Sequence, residues 1–67
     1  MTNFFFNGKE YFITSSITIN HLLNYFVYTN KFFVLEYNNT ICNKENWSLI
    51  KINSNDKIEI ITIVGGG

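Results

Sequence analysis

The stretch Asp56-Lys57-Ile58-Glu59-Ile60-Ile61-Thr62-Ile63-Val64-Gly65-Gly66-Gly67 decides how this chain is read. Its first part has the pattern of a strand. Ile58 and Ile60 fall on one face, while Lys57, Glu59, Ile61 and Ile63 fall on the other and pass from charged to apolar toward the end. Three glycines follow, and only one other, Gly8, occurs in the chain. Glycine serves where backbone must move freely or enter a space that a Cβ would block. The stretch therefore joins a folded domain, residues 1–64, to a thin tail, residues 65–67, whose one reactive group is the Gly67 carboxylate. The alternative is a frayed terminus or an expression scar, since chain ends are commonly disordered.

Working outward from that strand, Asn53 to Asp56 is a cluster of turn formers. Ser48 to Ile52 and Thr40 to Cys42 read as short strands, with a polar turn, Asn43 to Asn46, leading into Trp47. Phe32 to Tyr37 is β-rich and closes at Asn38-Asn39. At the amino end, Asn3 to Phe6 and Lys9 to Thr14 flank Asn7-Gly8, the pair best able to take the positive φ angles of a two-residue hairpin. Between the hairpin and the later strands, Ile19, Leu22, Leu23 and Phe26 recur at i, i+3, i+4 and i+7. That spacing predicts a helix from about Ile19 to Tyr28, with Ser15, Ser16 and Thr18 as N-cap candidates and Asn30 as its stop. A hairpin, one helix and a return to the sheet make an α+β fold of the β-grasp, ubiquitin-like kind, a mixed sheet crossed by one main helix.

Composition narrows the function. Sixty-seven residues make one small domain, and a single cysteine, Cys42, supplies no internal disulfide. Stability must come from apolar burial, for which the chain carries ten Ile, seven Phe, four Tyr and one Trp. Five lysines balance five acidic groups with no basic run, so a nucleic-acid partner is not expected. Apolar runs are too short to span a membrane, and no leader sequence is visible. Ala, Arg, Pro and Gln are absent while Asn, Ile, Lys and Phe abound, which is the bias of a genome rich in A and T. Together these features point to a plastid-encoded protein of the stroma, with a bacterial cytoplasm as the alternative. His21 is placed on the polar helix face and read as solvated. Cys42 is read as a small buried apolar group, because no basic residue is arranged to activate it. Trp47 is expected to cover the bottom of the core with its indole N–H on a partner.

The quoted terminus closely resembles that of the ThiS family, the ubiquitin-like sulfur carriers of thiamine biosynthesis. The resemblance extends to the Asn7-Gly8-Lys9 turn, the Thr18-Ile19-x-x-Leu22-Leu23 helix start, and Asn38 followed by Ile41 and Lys44-x-x-Trp47. Many members have a proline where this chain has Asn43, and an Asp-Gly-Asp turn where it has Ser54-Asn55-Asp56. Asn55 can hold the same left-handed conformation. The resemblance implies that a ThiF-like adenylating enzyme uses MgATP to activate Gly67. Sulfur from a cysteine desulfurase or a relay protein then replaces AMP to leave a thiocarboxylate, and a ThiG-like thiazole synthase accepts that sulfur.

On this reading the chain is a protein co-substrate rather than an enzyme, and it binds no cofactor or metal itself. Gly65 and Gly66 thread the partner's active site, and the Ile61 and Ile63 edge docks the partner. Three alternatives stay open at this point: a carrier like the small subunit of molybdopterin synthase, a ubiquitin-like protein modifier, and a plain β-grasp interaction module.

Overall fold

The computed structural model describes residues 1–26 and 33–62. Strands β1 (Thr2–Phe6) and β2 (Lys9–Ile13) pair antiparallel, with Phe6 opposite Lys9 and Phe4 opposite Tyr11. The two residues between them sit at φ 52° and 82°, as the sequence requires of Asn7-Gly8. Nothing lies within 4 Å of where a Gly8 Cβ would be, so conformation and not space selects glycine there. Helix α1 (Ile19–Tyr25) follows, then β3 (Phe33–Tyr37), β4 (Thr40–Cys42), a 3-10 turn (Lys44–Asn46) and β5 (Asp56–Thr62). The five strands form one sheet in the order β2-β1-β5-β3-β4, in which β5 runs parallel to β1 and antiparallel to β3. This is the β-grasp arrangement that the order of elements predicts.

The final strand lies in the middle of the sheet, between β1 and β3, with Ile58 and Ile60 on its inner face. Ile58 is fully buried, and the core gathers it with Phe4 and Phe6 of β1, Leu35 of β3, Cys42 of β4, and Ile19, Leu22 and Leu23 of α1. Burying side chains of this size contributes about 1.5–3 kcal/mol each. A seven-residue helix has no stability of its own, so α1 exists because its stripe packs on the sheet. Phe26 caps its carboxyl end and stacks on Phe6 with ring centroids 4.9 Å apart. The expected continuation to Tyr28 and Asn30 lies outside the described residues, as does Phe32 at the head of β3.

One expected element is absent. Ser48 to Ile52 is not a strand: Trp47 to Leu49 form a turn, and only Lys51 makes an isolated bridge, to Thr18. The segment's backbone is engaged at the helix entry instead. The Ile50 carbonyl accepts from Ile19 N–H and the Trp47 carbonyl from Asn20 N–H, both at 3.0 Å, while Ile52 N–H donates to the Ile17 carbonyl. With Thr18 Oγ1 accepting from His21 N–H at 3.2 Å, the first three amides of the helix, which no helical bond can reach, are all satisfied. Among the described residues no helix is long and apolar enough to cross a membrane.

Candidate functional site

The carboxyl-terminal strand is the part of the fold that bears on a tail, and two asparagines hold it from opposite sides. Asn7 donates its N–H to the Ile58 carbonyl, and its side-chain Oδ1 accepts from Ile60 N–H, both bonds reaching across from the β1 side. On the β3 side, Asn38 N–H donates to the Lys57 carbonyl at 2.7 Å and its Oδ1 accepts from Lys57 N–H at 2.8 Å. Both residues are in the left-handed conformation at φ 52° and 53°. Each therefore turns the chain and, with the same side chain, extends the ladder one step past the turn. β1 ends at Phe6, so beyond Ile60 the last strand keeps only β3 as a neighbour, with Val34 opposite Ile61 and Phe33 opposite Thr62.

The start of β5 is anchored by a buried carboxylate. Asp56 is 7% exposed and accepts from the Tyr37 hydroxyl, from Asn38 Nδ2 at 3.1 Å and from Asn53 N–H at 2.7 Å. Burial first, then the hydrogen bond to Asp56 and its charge, push the Tyr37 phenol up to about 12. The turn before it closes through Asp56 N–H on the Asn53 carbonyl, with Asn55 at φ 68°, the left-handed position expected of it. This network of Tyr37, Asn38, Asn53 and Asp56 was not visible in the sequence. A lone aspartate beside turn formers reads as solvated, and two of its three partners come from 18 and 19 residues away.

The sheet's two faces differ. The inner face is packed by α1, whereas the outer carries Phe5, Phe12, Val34, Glu36, Ile41, Lys57, Glu59 and Ile61. Ile61, singled out as a docking residue, is 46% exposed there, and Ile41 is 63% exposed. Ile63 and the tail glycines Gly65, Gly66 and Gly67 lie outside the described residues. The other singled-out side chains have structural partners. Trp47 donates its indole N–H to the Cys42 carbonyl at 3.1 Å and stacks on Phe33. Cys42 is buried, which raises its thiol pKa and disfavours the thiolate. His21 is exposed, yet it completes a capping box in which Nδ1 accepts from Thr18 N–H. Among the described residues no group of His, Cys, Asp and Glu is placed to hold a metal.

Comparisons with known proteins agree with this geometry. An "Uncharacterized protein ycf40" of Trieres chinensis is 61% identical over 64 residues, covering 96% of this chain and 88% of that one. A thiazole synthase of Paramagnetospirillum magneticum is 31% identical over 61 residues, which are 91% of this chain but 19% of that protein. A solved structure, a thiamine biosynthesis protein (ThiS) from Geobacter metallireducens, shares the fold with a TM-score of 0.83 at 22% identity, over 98% of this chain and 100% of the other. The ThiS family model matches residues 4–67, from the first core phenylalanine through the last glycine, and the chain accordingly belongs to the ThiS family of thiamine-biosynthesis sulfur carriers.

Proposed function

We propose that this protein carries sulfur on the Gly67 carboxylate for assembly of the thiazole ring of thiamine. The observation that carries the reading is the family match running through residue 67, which includes the three glycines at the end of the sequence. A carboxylate is a poor electrophile and must be activated first. A ThiF-like partner forms the acyl-adenylate from MgATP, releasing pyrophosphate. The outer sulfur of a cysteine desulfurase persulfide, presented directly or by a relay protein, then attacks the acyl-adenylate and displaces AMP to give an acyl disulfide. A thiol cleaves its S–S bond, leaving the thiocarboxylate and a new disulfide. The groups that perform this chemistry, and the MgATP, sit on the partners; the chain supplies the reacting carboxyl and a surface that docks it. Gly65 and Gly66 let the tail pass through a channel too narrow for a Cβ.

The receiving partner is a ThiG-like thiazole synthase. In support, a protein named thiazole synthase contains a segment resembling almost all of this chain. The place of work is the plastid stroma, a reading supported by the likeness to a ycf40 protein and by the A- and T-rich coding bias.

Intact-mass measurement tests the proposal. After incubation with a ThiF-type enzyme, MgATP, a persulfide donor and a thiol reductant, fragmentation is expected to locate one oxygen-to-sulfur exchange at Gly67. A chain that is neither adenylated nor thiolated there is not a substrate of this chemistry, and the reading fails.

A further inference from the structure

The outer face of the β3–β5 ladder carries an arrangement that the fold does not need. Glu36 and Glu59 stand directly opposite each other on adjacent antiparallel strands, side by side on the open face. Side chains in such pairs have Cβ atoms roughly 5 Å apart, and like charges there are destabilising. Among the described residues neither glutamate side chain makes an ion pair or hydrogen bond. Lys57 lies on the same face two residues before Glu59, and Glu10, farther across the sheet, is bonded to Asn3 Nδ2 at 3.1 Å. Among the described residues three carboxylates thus share this face with one ammonium, although the chain as a whole is neutral. The row beyond the glutamates is half-buried Val34 and exposed Ile61, and exposed Ile41 lies opposite Glu36 on β4, so the acidic pair is set among aliphatic groups.

Position adds a second constraint. Residues 63–67 follow Thr62 and span at most about 18 Å when fully extended. A partner that holds the Gly67 carboxylate in its active site must lie within that reach of the end of β5. The inner face of the ladder there is occupied, since Phe33 and Ile60 pack against the core. The outer face, with the Ile61–Val34 row and then the Glu59–Glu36 row, is open.

We infer that this face docks the adenylating partner by seating a basic side chain of that enzyme between Glu36 and Glu59, with aliphatic groups of the enzyme against Val34, Ile41 and Ile61. The inference rests on the carrier reading above. A guanidinium or ammonium bridging two carboxylates removes their repulsion, so the pair stabilises the complex through an interaction that the free protein lacks.

The test is steady-state adenylation of the full chain by a ThiF-type enzyme with MgATP, at several salt concentrations. The Glu36→Gln/Glu59→Gln double variant is expected to raise KM for the carrier roughly tenfold, leave kcat unchanged and flatten the salt dependence. Its thermal midpoint is expected to stay level or rise, which separates docking from folding. Glu45→Gln, on the 3-10 turn, is expected to leave KM and its salt response at wild-type values. Unchanged KM and salt response in the double variant overturn the inference while wild-type adenylation upholds the carrier reading. An equal effect of Glu45→Gln overturns it too, as would normal adenylation with only the transfer to thiazole synthase impaired. If the wild-type chain is not adenylated at all, the carrier reading fails and the inference falls with it.

Discussion

Four asparagines, Asn7, Asn38, Asn39 and Asn55, hold positive φ angles, a conformation that most side chains avoid. Asparagine tolerates it at modest cost, and here three of the four recover that cost by bonding elsewhere. Asn7 and Asn38 satisfy amides of β5, and Asn55 Oδ1 accepts from Asn3 Nδ2 at 2.9 Å. Among the described residues no such side-chain bond holds Asn39, which is exposed. Its replacement by glycine is therefore expected to be neutral or to stabilise by up to about 1 kcal/mol. Asn38→Gly keeps the conformation but leaves Lys57 N–H and Asp56 each short of a partner, for an expected loss of about 1–3 kcal/mol. Urea denaturation of the two variants checks both; equal stability would mean that the Asn38 side chain contributes nothing to the strand.

At the level of elements, β3 and β5 are joined by the Tyr37–Asp56 contact as well as by their ladder. The folded phenol, pushed up to about 12, titrates above the value near 10 of an unfolded tyrosine. Folding therefore favours the protonated phenol. Its contribution is fully present below about pH 10 and is lost as pH rises through about 12. Tyr37→Phe is expected to lower stability at neutral pH by about 1–3 kcal/mol and to show a shallower decline than wild type between pH 10 and 12. Denaturation midpoints across that range measure it, and parallel curves would rule the contact out as the cause. The helix depends on its entry in a similar way. Thr18→Ala removes the bond to His21 N–H, with an expected cost of about 1 kcal/mol.

For the whole molecule, the expectation is that stability and function separate. The core cluster is built from residues between Phe4 and Ile58, so deleting Gly67 is expected to leave the melting curve unchanged while sulfur transfer is abolished; transfer by the truncated chain would remove Gly67 from the mechanism. Ile61→Asp places a charge on a half-exposed outer position, where it costs the fold little. It is expected to weaken association with the adenylating enzyme at least tenfold, read by titration, with a small change in melting temperature. A variant that unfolds instead would assign Ile61 to packing.

Much of this protein was legible along the chain. The Asn7-Gly8 hairpin, the stripe of Ile19, Leu22 and Leu23, the alternation of Ile58 and Ile60, and the three final glycines are local patterns. Turn angles, helical period and strand period are properties of neighbouring residues, so no distant contact was needed to read them. The fate of Ser48 to Ile52 was not local. Its composition suits a strand, but the helix entry beside it required carbonyls at Trp47 and Ile50, and that demand exists only once the chain has folded. Glu36 and Glu59 lie 23 positions apart and became an opposed pair only when β3 and β5 aligned. Asp56 became a buried anchor only when Tyr37 and Asn38 closed over it. Register and burial are decided by which strands meet, and here the meeting strands come from distant parts of the chain.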